Sequence, residues 1–313
     1  MNIYPLKFTP IYKELIWGGH KLNNIFGKDF PADKKIGESW ELVDLPNDKS
    51  QIANGEFTGK TLSELLEKYS EQITGKKYIP PFGLLIKFID AADVLSVQVH
   101  PDTETVKKLG TGSLKTECWY IIDAEKGACI YKGLKSGTTR QQFEQSIKDG
   151  SCAELLNKVA VKPGECHFLP AGTVHAIGAG LLIAEIQTPS DTTYRVFDWN
   201  RLQNGKPRQL HIEQALESIH FNQNPNELSV ATSGRLVNCD YFKVDKIKAA
   251  ANSSNNTAKG IMKVLVVING NGQIISGNSQ PVDFSKGETI LLPAAFEGKI
   301  NFASDTTYLE TII

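Results

Sequence analysis

The sequence predicts a mainly β protein built as two related barrels with a minority of helices, and three observations carry that prediction. Short β-rich runs recur along the chain, each ended by Gly or Pro, the rhythm of sandwiches and barrels rather than of alternating strands and helices. One stretch repeats: Gly164-Glu165-Cys166-His167-Phe168-Leu169-Pro170-Ala171 matches Gly287-Glu288-Thr289-Ile290-Leu291-Leu292-Pro293-Ala294 at Gly, Glu, Leu, Pro and Ala, in the same spacing. Each half therefore holds a turn, a strand and a second turn. The run from Leu95 to Asp102 alternates apolar and polar residues. A period of two sends Leu95, Val97 and Val99 to one face of a strand and Ser96, Gln98 and His100 to the other.

Taken in chain order, the first clear element is a helix over 61–71, which opens with Thr61-Leu62-Ser63-Glu64, a capping box. Strands follow over 84–99, 117–123 and 129–132, with a helix over 139–148 and a shorter one over 153–158. The repeated stretch gives a strand over 165–169, the apolar run 181–187 gives another, and a helix covers 211–220. Apolar periodicity stops over 221–227 and again over 250–259, where Asn and Ser dominate. The first gap is a domain boundary, dividing the chain into 1–225, with the helical insertions, and 226–313; the second is a surface loop.

Composition sets limits on partners. With 313 residues, 41% hydrophobic and 22% charged, the chain can bury a substantial core and divide in two. A formal charge of -1 leaves no electrostatic footprint for nucleic acid or an anionic membrane, so anions must be bound by a few placed cations. The longest apolar runs, such as 264–268, are too short to span a bilayer, and nothing near Met1 reads as a signal peptide; the expected address is cytoplasmic. The five cysteines, Cys118, Cys129, Cys152, Cys166 and Cys239, form an odd set without a CxxC pair. That argues against a disulfide framework and a thiolate zinc site, and for reduced, buried thiols.

The chemistry starts from Gln98 and His100, a carboxamide and an imidazole on one strand face where a solvated face would carry Lys or Glu. From Gly164 the chain reads Gly, five residues, Pro170, one residue, Gly172, two residues, His175. Pro170 and Gly172 make a tight turn that lets His175 point into a barrel. This stretch resembles the second motif of the cupin superfamily, with Ala179 in place of its final Asn, and implies two cupin-like jelly-roll barrels. At the offset of His175 the C-terminal copy has Gly298, so the second barrel is expected to have no metal site and a structural role. The first cupin motif offers His-x-His and then Glu; here the chain has Gln98-Val99-His100 and then Glu117.

With Lys115-Thr116-Glu117-Cys118-Trp119-Tyr120 included, the set resembles the type I phosphomannose isomerases in their short bacterial form. Trp17-Gly18-Gly19, Gly37-Glu38-Ser39-Trp40-Glu41 and the run from Gln187 through Ser190-Asp191 to Arg195 and Trp199 support it across the first two thirds of the chain. The resemblance implies one Zn²⁺ per chain bound by Gln98, His100, Glu117 and His175, with open positions for water or substrate. It implies aldose–ketose isomerisation of mannose 6-phosphate and fructose 6-phosphate through an enediolate. Arg195 is the candidate for oxyanion stabilisation, and Lys115 for proton transfer or for the phosphate. Ser96, Asp191 and Trp17 are candidate substrate contacts. The residues alone leave Lys115 and Glu117 open as an exposed salt bridge, and Arg195 as an ion-pair partner of Asp191 or Asp198.

Two other classes remain in view. His100, Glu117 and His175 alone form the two-His-one-carboxylate set of non-haem iron oxygenases, against which Gln98 and the cationic Lys115 and Arg195 tell. A sugar-binding cupin with a structural metal is the second. Trp40 and Trp119 are candidate walls of a sugar site or packing residues. Cys166 and His167 read as core, and His20, His211 and His220 as surface residues. Oligomeric state leaves no mark in the sequence.

Overall fold

The computed structural model describes residues 3–203, 205–222, 230–277 and 280–313, which fold as β layers with helices packed against them. A seven-stranded sheet runs in the order Val230–Ala231, Cys166–Leu169, Glu117–Ala124, Leu181–Gln187, Leu85–Ala91, Ile36–Leu42, Ile11–Gly19. Facing it is a five-stranded sheet of Tyr194–Phe197, Val97–Val99, His175–Ile177, Cys129–Leu134 and Leu156–Ala160. Trp17, Ile89, Trp119, Ile121, Leu169 and Ile183 from the first sheet pack against Ile130 and Ile177 from the second, so the space between the sheets is a core. The outer face of the five-stranded sheet, through Val97, Val99, Ala176 and Val196, lies under the helices Arg140–Lys148 and Ile212–Ser218.

The C-terminal part repeats the scheme. A four-stranded sheet (Ser254–Thr257, Gly298–Phe302, Asn271–Ile275, Val282–Ser285) packs on a second seven-stranded sheet through Val267, Ile274, Phe284, Ile300 and Phe302. That larger sheet takes in two N-terminal strands: Leu6–Thr9 pairs with Thr289–Leu292 on one side and with Gln51–Ile52 on the other. The backs of the two seven-stranded sheets form the largest apolar cluster, in which Phe88, Tyr120, Ala184 and Ile186 meet Val244, Val264, Leu291 and Leu309. The repeated stretches occupy matching places. Gly164 and Gly287 both have positive φ, each precedes a strand of a large sheet, and His175 and Gly298 each open a strand of the smaller one.

Several sequence expectations change. The run 84–99 is two strands in different sheets, Leu85–Ala91 and Val97–Val99, because the chain crosses between layers at Ala92 and Asp93, whose N–H groups donate to the Trp17 carbonyl. Leu95 therefore lies before the strand and packs inside with Trp17, while Val97 and Val99 face the helices. Residues 153–158 do not form a helix: a single 3-10 turn, Cys152–Leu155, leads into the strand Leu156–Ala160. The polar run 250–259 contains an edge strand, Ser254–Thr257, whose outward positions need no apolar residues. Short helices at Lys21–Phe26 and Thr103–Leu109 were not expected.

The helix over 61–71 extends as Leu62–Thr74 with its capping box formed, and Thr139 caps Arg140–Lys148 in the same way. All five cysteines are free, with Cys129 and Cys239 only half-buried. The boundary placed at 225/226 lies outside the described residues. Among the described residues no helix is long and apolar enough to cross a membrane.

Candidate metal centre and its cavity

The site is built where the two sheets of the N-terminal part meet. His175 opens its strand directly after the Pro170–Gly172 turn and pairs in register with Gln98, which in turn pairs with Arg195 on its other side. Gly172 has a φ of 84°, and a Cβ there would lie 2.4 Å from the His220 ring, so the turn closes only with glycine. Glu117 opens a strand of the opposite sheet, in register with Leu169 and Gln187.

The buried side chains of His100, Glu117 and His175 bring their ligand atoms within 4.8 Å of one another. His100 Nδ1 is 2.8 Å from the Thr192 carbonyl and His175 Nδ1 is 2.8 Å from the Thr173 carbonyl. A carbonyl only accepts, so each imidazole donates from Nδ1 and keeps its lone pair on Nε2, aimed inward. Glu117 Oε1 lies 3.4 Å from His175 Nε2, and Glu117 Oε2 lies 3.5 Å from His100 Nε2. His100 Nε2 and Glu117 Oε1 are buried without a hydrogen bond. Such orphaned atoms in a dry interior carry a desolvation cost that a cation would relieve. The donor set, two neutral imidazoles and one carboxylate, fits a divalent metal.

Gln98 completes the group. Its Nε2 is 3.3 Å from His175 Nε2 and its Oε1 accepts from Ser96 Oγ at 3.3 Å; a half-turn of the amide would present oxygen to an ion. Trp119 packs edge-on against the His175 ring, with 5.2 Å between centroids, and fixes its plane.

The electrostatics keep the ligands in binding form. Burial, reinforced by the Lys115 charge, pushes His100 down to about 3 despite Glu117, and burial likewise lowers His175, so both imidazoles are neutral. Burial alone would raise the Glu117 carboxyl, but the opposing effects, led by the neighbouring Lys115 charge, hold it well below the usual carboxylate range. Lys115 Nζ sits 2.9 Å from Glu117 Oε2 and is itself buried.

Beside this cluster lies a cavity of about 140 Å³, lined in part by Trp17, Ser96, Gln98, Lys115 and Arg195. Arg195 donates from Nε to Ser96 Oγ at 3.3 Å and from Nη1 to the Gln209 carbonyl at 2.8 Å. Trp17 packs over Gly37, where a Cβ would lie 2.7 Å from its ring. Asp191 is exposed and does not line the cavity; neither do Trp119 and Trp40, whose indoles donate to Glu185 at 2.9 Å and Glu38 at 2.6 Å. His167 is fully buried in the same interior, whereas His211 is half-buried and accepts the Arg195 N–H, and the exposed His220 pairs with Asp102 at 2.9 Å.

Sequence reasoning passed over Lys87, Glu185 and Arg208, all of which line the cavity. Lys87 and Glu185 are register partners on adjacent strands, 3.3 Å apart, and burial together with Glu117 raises the Glu185 carboxyl above its usual range. The signal was present in the apolar runs Leu84-Leu85-Ile86-Lys87-Phe88-Ile89 and Leu181-Leu182-Ile183-Ala184-Glu185-Ile186, each holding a single charge that a buried strand keeps only with a partner.

Residues 5–130 match the model of the phosphomannose isomerase type I catalytic domain. A mannose-6-phosphate isomerase of Bacillus subtilis is 40% identical over 302 residues, covering 94% of each chain. Among solved structures, the mannose 6-phosphate isomerase from Bacillus subtilis superposes with a TM-score of 0.88 at 31% identity, over 99% of both chains. A mannose 6-phosphate isomerase bound with zinc and yttrium shares the fold at 17% identity, with a TM-score of 0.75 over 98% of this chain and 99% of that one.

Proposed function

Because this chain belongs to the type I phosphomannose isomerase family, we propose that it interconverts mannose 6-phosphate and fructose 6-phosphate through an enediolate. One zinc ion per chain would be held by His100, Glu117 and His175, with the Gln98 amide oxygen as fourth ligand. The single observation that carries this reading is the pair of unpartnered inward atoms, His100 Nε2 and Glu117 Oε1, beside a cavity that also presents Lys115 and Arg195. When bound, the ion supplies positive charge that stabilises developing negative charge on the substrate oxygens.

In the forward direction a proton leaves C2 of the open-chain aldose and its electron pair closes the C1–C2 double bond, leaving an enediolate. The proton is then delivered to C1 while the C2 hydroxyl hydrogen passes to O1, which gives the ketose. Lys115, 2.9 Å from Glu117, would have to act as the neutral amine to carry the proton between the carbons. Arg195, tethered through Ser96 and the Gln209 carbonyl, presents its guanidinium to the enediolate oxygens. Trp17 supplies an apolar wall that keeps water from the intermediate, whereas Asp191, exposed and outside the cavity lining, gains no support here as a substrate contact. The C-terminal β part, residues 226–313, acts as a scaffold without metal, a role supported by the apolar cluster of Val267, Ile274, Phe284, Ile300 and Phe302 between its sheets. The enzyme would work in the cytoplasm on a small phosphorylated sugar.

The test is a coupled assay of mannose 6-phosphate conversion on metal-stripped and zinc-restored protein. Activity is expected only after zinc is returned; none in either sample would overturn the proposal.

A further inference from the structure

We propose that Arg208 binds the phosphate of the substrate and sets the preference for a phosphorylated sugar, with Asp198 as the positioning residue that holds its guanidinium. This rests on the hexose-phosphate reading given above and adds where, in that cavity, the phosphate goes.

Charge is unevenly balanced along the cavity. At the metal end the two ammonium groups are already matched by buried carboxylates: Lys115 lies 2.9 Å from Glu117 and 3.8 Å from Glu185, and Lys87 lies 3.3 Å from Glu185 and 3.6 Å from Glu38. A dianion placed there would have to displace carboxylates that the interior cannot leave unpaired. At the other end the balance reverses. Arg195 on the strand Tyr194–Phe197 gathers here with Arg201 and Arg208 on the segment after it, and Asp198 is the only buried carboxylate that meets them among the described residues. Asp198 accepts from Arg208 Nε at 2.7 Å and Nη2, and from Arg201 Nη2 at 2.7 Å. Arg201 also reaches the exposed Asp93, at 3.2 Å. Arg195 has no carboxylate within 4.0 Å among the described residues, and its guanidinium is disfavoured by burial and by the charge of Arg208. The arginine end thus carries surplus positive charge that faces a phosphate of about −1.5 to −2 at neutral pH with favourable attraction.

The geometry agrees with the charges. Contacts run outward from the metal ligands through Gln98 and Ser96 to Arg195, and Arg208 lines the same cavity. A sugar that presents C1 and C2 to the metal end carries its phosphate four carbons away, so Arg195 faces the reacting oxygens and Arg208 the C6 substituent. Arg208 uses Nε and Nη2 on Asp198, which leaves Nη1 without a partner among the described residues. A guanidinium braced by a carboxylate is pre-ordered for an oxyanion and loses little freedom on binding.

The experiment compares zinc-loaded wild-type protein with Arg208→Met and Arg208→Lys. Its readouts are kcat and KM for mannose 6-phosphate, turnover of unphosphorylated mannose, the competitive Ki of inorganic phosphate, and zinc content. In Arg208→Met, KM and the phosphate Ki should rise together by about 10- to 100-fold, as expected for loss of a charge-assisted contact. The kcat, the rate on mannose and the zinc content should stay near wild type, and lysine should restore part of the loss. An unchanged KM and Ki in a folded, zinc-loaded variant, or a fall in kcat alone, would overturn the proposal. Should Arg208→Met not fold, Arg208→Lys keeps a cation on Asp198 and is read by the same criterion. A zinc-loaded wild type inactive on mannose 6-phosphate would instead remove the isomerase reading on which the inference stands.

Discussion

His100 and His175 illustrate how one side chain is tuned by two constraints at once. Each gives its Nδ1 hydrogen to a backbone carbonyl, and burial keeps each imidazole neutral, which is the form a metal needs. The same arrangement has a consequence for stability. In the unfolded chain an imidazole titrates near 6.5, whereas folded His100 titrates at about 3. Below about pH 6.5 the unfolded state takes up a proton that the folded state refuses. The contribution is fully present above that pH and is lost as pH falls toward 3. For His100 the slope is about 1.4 kcal/mol per pH unit. Thermal melts of metal-free protein from pH 7 to 5 should show this loss, and His100→Gln should flatten it; an unchanged slope in the variant would count against the assigned state. At this scale the sequence was informative for Gln98, His100, Glu117 and His175, since spacing and turn chemistry are local. It was silent on Arg208, because an arginine in a polar segment looks the same whether it meets solvent or a cavity.

The strand pair Leu85–Ala91 and Leu181–Gln187 shows what register adds to an element. Both strands are buried along their whole length; besides Asp90, which accepts from the Lys21 N–H near the strand end, the charges they carry are Lys87 and Glu185, which face each other. Glu185 also accepts from the Trp119 indole, while Lys87 reaches Glu38 and lies over the Trp40 ring. Replacing Lys87 takes from buried Glu185 its nearest cation and leaves only Lys115 at 3.8 Å, so Lys87→Met should cost about 3–5 kcal/mol. Adding Glu185→Leu should recover part of it, and denaturant unfolding of the two singles and the double measures the coupling. Additive costs would mean that the pair does not interact. Helices capped by Thr61 and Thr139 were legible because a capping box lies within four residues. The break between Leu85–Ala91 and Val97–Val99 was not, because a β-rich run reads the same whether it stays in one sheet or crosses to another.

Across the whole molecule, the two parts of the chain share more than a linker. The strand Leu6–Thr9 completes the C-terminal sheet, and the backs of the two large sheets form the largest apolar cluster. Leu6 is fully buried there. Leu6→Asp would place an unpaired carboxylate in that cluster and should lower stability by several kcal/mol. Both parts should then unfold in one transition, followed by circular dichroism and by tryptophan fluorescence, the latter reporting only on the N-terminal part because all four tryptophans precede residue 200. A fluorescence transition left in place while the C-terminal sheet melts would show that the parts are independent.

The β class, the repeated turn–strand unit, the helix caps and the likeness to the type I phosphomannose isomerases follow from residue order alone, because each depends on side-chain period or on residues a few positions apart. Which charges are paired follows only from the closed fold. Lys87 meets Glu185 across 98 residues of chain, and Arg208 meets Asp198 at the rim of a cavity whose other wall is built by strands far earlier in the sequence. Coulomb attraction and desolvation act through space, so the balance of charge inside the cavity exists only once the sheets have closed around it.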